Sequence, residues 1–445
     1  MRQYYLYYES NQKYVVYDAK TKQITTMEHA DWYKLERKYE LMQGFDATHK
    51  GLNKFSEKFR ECIAELTGHK IQLTKHEYFK IDVLYNYKLK QITKYVLEKI
   101  LGDKLTNHET ISLIEQNYSD DCFNAGIMFL DDNFKDQFTK CHTHDYNFHY
   151  PKCMSSDKLM IPTKQGKEYK LKELPDKWKL ETGYYRVKIT CNDKNFMKVF
   201  AFSKKNTYVD KSIFWAMMLK EEYPEFKINI ELNQELEYNC YLYNKKDCVT
   251  GSYLFKKWFD VMSELKESFP KNGIVKFIGS SAHGYIMQRK LLRKTDEQVV
   301  EENLDIGISE NHRYYVVDKK FYDDTYTNMK YVLIDREHPT TYNIRLKSFL
   351  SAHVRNKTAR LCTGTLHFGK ERHKNVKHDL NDVVRVCVDS VTFRKDMKHL
   401  DDYVEVKKET KSTGKIYFEN CNKYFNKTEN IYAGHWKQSE KNEFE

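Results

Sequence analysis

Proline and glycine are scarce, 6 and 16 among 445 residues. That leaves little room for long flexible linkers and excludes collagen-like or low-complexity composition. No stretch approaches the ~18 consecutive apolar residues of a membrane span. The opening segment, MRQYYLYYESNQKYVVYDAK, lacks the apolar core of a secretory signal. The expectation is an intracellular protein of cytoplasm or nucleus, neither secreted nor bound to a membrane. Of the ten cysteines, none forms a Cys-x-x-Cys pair, so reduced thiols are expected rather than a disulfide framework.

What is present fits a folded chain of two or three domains: 40% hydrophobic and 31% charged residues over 445 positions. Lysine and arginine outnumber aspartate and glutamate by 75 to 64, a formal net charge of +11. A mild positive balance favours a polyanionic partner, and 35 tyrosines and 25 phenylalanines add surfaces on which bases stack. The same Lys-, Asn- and Tyr-heavy usage also follows from an A/T-rich coding sequence. Cys141, His142, His144, His149 and Cys153 lie close enough in sequence to hold zinc, although their spacing matches no paired-ligand knuckle and Asp145 sits among them.

The expected architecture is α+β, with helices grouped around a mostly antiparallel sheet. Residues 1–60 mix short Tyr/Val-rich pieces with a polar helical stretch at Ala30–Met42. Leu52–Leu101 is read as mainly helical, with Phe59, Cys62, Ile63 and Leu66 on one face. Within 182–202, YYRVKITC and MKVFAF read as two strands separated by NDKN. Gly251–Phe269 and Gly273–Leu292 form two helical arms joined by Pro270-Lys-Asn-Gly. Strands follow at YYVVD and KYVLID, then a helix near Tyr342–Leu361.

Three segments carry candidate chemistry. In VVRVCVDSVTF (383–393), two β-prone runs flank Asp389-Ser390, a hairpin that presents a carboxylate at its tip; an aspartate chosen for the turn alone is the plain alternative. In KFIGSSAHG (276–284), Lys276, Ser280 and His283 share a helix face with Met287, suited to a triphosphate or simply to solvent. In DYNFHYP (145–151), an acid precedes Tyr-Pro at a strand–turn–helix junction, which would bring Asp145 and Tyr150 to one pocket.

In this order the three segments resemble family B DNA polymerases. Asp145, Tyr150 and Pro151 match the palm motif Asp-x-x-Ser-Leu-Tyr-Pro, with Phe148 and His149 replacing Ser and Leu. Lys276, Ser281 and Gly284 match the fingers motif Lys-x-x-x-Asn-Ser-x-Tyr-Gly, with Ser280 and His283 replacing Asn and Tyr. Asp389-Ser390 match the second half of Asp-Thr-Asp-Ser, and Cys387 stands where its first Asp would be. YPKCMSSDKLMIP, GYYRVKI (183–189) and KSFLSAHVRNKT (347–358) resemble runs in polymerases of large DNA viruses, virophages and self-synthesising transposons. The likeness spans residues 120–425. Asp145 and Lys276 are 131 positions apart, and Lys276 and Asp389 are 113. Gaps of that length resemble protein-primed members, which carry insertions for a terminal protein.

The resemblance implies a right-handed polymerase fold: an antiparallel palm at 121–250 and 293–404, helical-hairpin fingers at 251–292 and a small thumb at 405–445. A short, mainly helical N-terminal domain at 1–120 would precede them. It implies DNA polymerase activity on primer-template DNA with dNTPs, in the cytoplasm or nucleus of a host, with a terminal protein or other replication factors as further partners. Asp145 and Asp389 would ligate two Mg²⁺ ions, with Mn²⁺ as a substitute. Lys276, Tyr150, Ser280, Lys256 and Lys257 would bind the nucleotide, and Lys415, Tyr417, Arg355 and Lys357 the DNA. Residues 1–144 contain no Asp-x-Glu, and the Asp335-Arg-Glu337 triplet lies between the second and third motifs, so no 3′–5′ exonuclease is expected. The alternative is a polymerase-derived protein that has lost catalysis and binds DNA or scaffolds a replication complex.

Overall fold

The computed structural model describes residues 4–9, 13–18, 23–28, 40–41, 89–134, 138–268, 273–308, 312–321, 329–337, 340–364, 376–402, 413–420 and 436–439. The N-terminal piece departs from expectation. Tyr4–Glu9, Lys13–Asp18 and Gln23–Glu28 form an antiparallel meander, with Glu40–Leu41 paired in parallel to the first strand. The runs YYLYYE, KYVVYD and QITTME are rich in aromatic and β-branched residues, which favour a pleated surface over a helix. The helix expected at Ala30–Met42 lies outside the described residues except for the Glu40–Leu41 strand, and the helical reading of 52–88 lies outside them entirely.

The elements that build the site, in chain order, begin with helix α1 (Leu89–Leu101), strand β1 (Met128–Leu130), strand β2 (Phe138–Asp145) and helix α2 (His149–Met154). Helix α3 (Asp210–Glu222) and the two arms, α4 (Gly251–Ser268) and α5 (Gly273–Ile286), come next. Helix α6 (Lys347–Thr363) and strands β3 (Val383–Cys387), β4 (Ser390–Phe393), β5 (Thr413–Asn420) and β6 (Trp436–Ser439) complete the set. The six strands form one antiparallel sheet in the order β6-β5-β2-β4-β3-β1. Between α2 and α4 a smaller sheet forms on Gly183–Thr190, and between α5 and α6 a third forms on Met329–Asp335.

The second expected strand near 196–202 is a helical turn, Phe196–Val199. Asp193 starts it: its side chain accepts from the Asn195 amide at 2.7 Å and its carbonyl from the Phe196 amide at 3.1 Å. Such a local side-chain bond offers the backbone an alternative to a sheet ladder. The α5 arm stops at Ile286 rather than Leu292, because Leu291–Thr295 pairs with Met329–Asp335.

Leu254, Phe255, Trp258, Val261, Met262 and Leu265 recur along α4 at helical spacing and are all buried. They pack with Val96, Leu97 and Ile100 of α1 and with Ile278, Ala282 and Ile286 of α5 in one core. A second core lies under the large sheet, with Phe129, Val386, Val391 and Phe393 facing it. Helix α6 joins the two: Leu350 and Val354 belong to the first, Ala359 and Leu361 to the second. Its buried polar groups are satisfied, Ser351 on the Asn124 carbonyl at 3.3 Å and Thr358 on the Val388 carbonyl at 2.6 Å, as burial in a low-dielectric interior demands.

Candidate active site

Strand β2 ends at Asp145, which stands directly opposite Ser390 on β4, and the Tyr146 amide donates to the Asp389 carbonyl at 2.9 Å. Directly opposed residues share a face of a sheet. Asp145, Ser390, Cys387 and Met128 therefore form a row across four strands. Asp389 lies at the β3–β4 tip beside that row. Val388 holds the tip at φ 52, a region that β-branched residues rarely enter. Three groups keep it there: the Val388 amide donates to Ile127 at 2.9 Å, its carbonyl accepts from Thr358, and Gly126 packs so closely that an added Cβ would lie 3.0 Å from the Val388 Cα.

The electrostatics tie these groups to one locus. Burial pushes the Cys387 thiol up; Arg385 opposes this, and the charges of Asp389 and Asp145 add to it. Burial also raises the Tyr150 phenol, and the charge of Asp389 adds to that. Asp145 and Asp389 are both only half-buried, although the Oδ1 of Asp145 is itself enclosed.

After Asp145 the chain turns through Phe148, left-handed at φ 57 and ψ 46, into α2. The helix begins at His149, two residues before Pro151; a proline in the first turn gives up no hydrogen bond. This geometry aims Phe148 and Tyr150 at the α4–α5 hairpin. The Phe148 ring lies against Gly279, where an added Cβ would sit 2.3 Å from its Cε2. Tyr150 stacks on His283 with ring centroids 4.1 Å apart. Burial lowers the His283 imidazole to about 4, so the stacked ring is neutral. Lys266 on α4 bonds Asn147 Oδ1 and lies 4.8 Å over the Phe148 ring. Sequence reasoning missed Asn147, Lys266, Gly279 and Thr358, whose roles arise from contacts between distant segments.

The other expected site residues are distributed as follows. Lys276 and Ser280 are exposed on α5, while Ser281 turns inward to Thr93 of α1 at 3.1 Å. Lys256 pairs with Asp260 on its own helix at 2.6 Å, and Lys257 is exposed. Lys357 is half-buried with its ammonium 5.7 Å from the Tyr146 ring. Lys415 and Tyr417 lie on β5, opposite Lys140 and Phe138 of β2.

Arg355 is a correction to the DNA-contact set. It is buried, and its guanidinium donates to the carbonyls of Phe123 and Ala125 at 2.7 and 2.8 Å. Its charge is directed into the protein.

The zinc alternative is also corrected. Alternation along β2 puts Cys141 with Leu130 and Val384, while His142 faces Asp396 and His144 faces Phe393. His149 stacks on Tyr146 and lies 3.9 Å from the Cys153 sulfur, inside the core. Among the described residues, no three His, Cys, Asp or Glu side chains converge on a metal position. Asp335 and Glu337, the lone Asp-x-Glu pair, both engage Arg313. No helix among the described residues is long and apolar enough to cross a membrane.

No family model matches this chain, and no curated protein matches it. Among solved structures, it is similar to Phi29 DNA polymerase complexed with primer-template DNA and incoming nucleotide substrates. The TM-score is 0.44 and the identity 11%, over 88% of this chain and 80% of that one. It is also similar to the Phi29 enzyme in its post-translocation binary complex with primer-template DNA, at TM-score 0.46 and 12% identity over 89% and 80% of the two chains.

Proposed function

We propose that this chain is a template-directed DNA polymerase that extends a primer 3′-hydroxyl with dNTPs and lacks 3′–5′ proofreading. The observation that carries the reading is the juxtaposition of Asp145 and Asp389. They come from segments far apart in sequence: Asp145 ends β2, Asp389 sits at the tip of the hairpin whose strand β4 pairs with β2, and the charges of both act on Cys387. A binding module has no need of paired half-buried carboxylates beside a tyrosine.

Two carboxylates suit Mg²⁺, which takes one or two protein oxygens and completes its shell with water and phosphate. Asp145 and Asp389 would hold the ions; when bound, these would neutralise charge on the attacking and leaving oxygens. The chain's own residues supply position. Tyr150, held flat by His283, offers a rigid ring beneath a nucleotide sugar and excludes a 2′-hydroxyl by shape. Lys276, one helical turn before Gly279, would bind the triphosphate; Ser280, Lys256 and Lys257 would add contacts. Strand β5 would bring Lys415 and Tyr417 to the primer end, with Lys357 as a further DNA contact. Positioning and charge neutralisation are the main demands of in-line phosphoryl transfer. The domain division given above, and a terminal protein as primer, belong to the same proposal.

Primer extension with Mg²⁺ and dNTPs tests it, comparing the wild type with Asp145→Ala and Asp389→Ala. Loss of extension in both variants supports the reading and the metal pair together; extension unaffected by either change sinks the assignment. One observation favours the second reading, an inactive DNA-binding scaffold: the soft, protonated thiol of Cys387 occupies the row where a third carboxylate would serve a hard cation. A folded wild type that binds primer-template without extending it would support that reading.

A further inference from the structure

Beside the candidate active site lies a cleft of about 890 Å³ walled by α2, α3, α6 and the 177–180 turn. Six cationic side chains line it, Lys152, Lys158, Lys177, Lys211, Lys357 and Arg360, against a single carboxylate, Asp157. Asp157 accepts a hydrogen bond from Ser252. Lys177 and Lys211 also have carboxylate neighbours, Glu221 and Asp210, and the lining still keeps a cationic excess. Trp178 stands at the rim with 74% of its surface exposed. The Phe214 ring meets it edge-on at 5.1 Å and 71°, which props the indole up as a platform. The cleft approaches the site through Phe259, which lines it and lies 6.1 Å from the Phe148 ring.

We propose that this cleft is a track for single-stranded DNA leading toward Asp145 and Asp389. A groove of cations with an exposed aromatic face is the arrangement that holds a strand by its phosphates while a base stacks. A duplex would engage the lysines and leave Trp178 idle, because its bases are already stacked. An acidic peptide would do the same. The field inside the cleft agrees: burial and then the charges of Lys357, Arg360, Lys211 and Lys158 hold His353 down at about 3. As a template track the proposal rests on the polymerase reading; as a strand-binding cleft it does not.

The test is fluorescence anisotropy of a labelled oligo-dT with the full chain. Trp178→Ala, at an exposed position, is expected to weaken binding about tenfold. Lys158→Ala combined with Lys357→Ala is expected to flatten the dependence of log Kd on log salt by about 0.7 for each lysine removed. Thermal melts of both variants should match the wild type. Unchanged affinity in Trp178→Ala with an unchanged salt slope in the double variant overturns the proposal. So does a wild type that binds poly-glutamate but not oligo-dT, or one whose preference for duplex is indifferent to Trp178. Primer extension with the same preparations separates the two claims. Binding that falls with the cleft variants while the wild type extends nothing leaves the track and removes the polymerase. Normal extension with unaffected binding does the reverse.

Discussion

The rings of Tyr150 and His283 lie face to face, 4.1 Å apart and 15° from parallel, and join the segment after Asp145 to the second helical arm. His283→Ala removes that support. Ring pairs of this kind contribute about 0.5–1.5 kcal/mol beyond their buried area, so a drop in unfolding free energy of about 1–2 kcal/mol is expected in urea titrations. On the polymerase reading, Tyr150→Ala should raise ribonucleotide use relative to deoxynucleotide use about tenfold. His283→Ala should raise it less, because the ring remains but is no longer held flat. Competition assays with mixed nucleotides measure both ratios; a ratio unmoved by Tyr150→Ala removes the tyrosine from sugar selection.

Gly279 and Phe148 make a second, tighter contact between the same segments. A methyl at Gly279 would meet the Phe148 ring at 2.3 and 2.6 Å, so Gly279→Ala forces the ring aside. Overpacking of this kind costs about 1–3 kcal/mol. The double variant Gly279→Ala/Phe148→Ala should be more stable than the sum of the single effects predicts. Strict additivity in the double-mutant cycle would show that the two residues are not in contact.

Arg355→Ala should destabilise the fold rather than merely weaken DNA binding. It would leave the Phe123 and Ala125 carbonyls unsatisfied inside the protein, at about 1–3 kcal/mol for each orphaned group. Arg355→Lys should restore little, since a point ammonium cannot reproduce the forked donors. Wild-type stability in Arg355→Ala, with reduced DNA affinity, would return the residue to the binding surface.

Several buried histidines make stability depend on pH. Burial lowers His283 and His378 to about 4 from an ordinary 6.5, with His399 adding at His378, and holds His149 well below 6.5. In the unfolded chain each takes up a proton near 6.5, while in the folded state His283 and His378 stay neutral until near 4 and His149 stays neutral well below 6.5. The unfolded state therefore binds more protons across that window, and stability falls as pH drops from about 6.5 toward 4. Each such histidine contributes a slope of about 1.4 kcal/mol per pH unit. Urea midpoints at pH 7 and pH 5 read this out, and His283→Phe should soften the fall.

Much of the scaffold was legible in local pattern. VVRVC and SVTF are β-prone runs on either side of the Asp389 turn, and the β3–β4 hairpin is where those runs put it. The stripe from Leu254 to Leu265 likewise announces α4. Helix α6 begins at Lys347 rather than near Tyr342, so Tyr342–Leu346 falls short of it. That segment carries Arg345 to Glu115, whose buried pair no local pattern encodes. At Phe196–Val199 a β-prone composition loses to the local bonds of one aspartate, Asp193. The carboxylates and Tyr150 could be singled out because their residue types are chemically unusual where they stand. Lys266 and Thr358 could not, since a lysine or threonine on a helix reads as solvent until the partner strand is known.

Strand β2 is gripped on one side by β4 and on the other by β5, and the hydroxyls of Thr143 and Thr392 meet at 3.0 Å although 249 positions separate them. During synthesis, Asp145 therefore leaves the ribosome long before either neighbour exists. In that interval β2 has two bare edges, each a template for pairing with the wrong chain, and closing so long a loop is slow. The central sheet is a late product of translation, completed only when residues 413–420 and then 436–439 emerge.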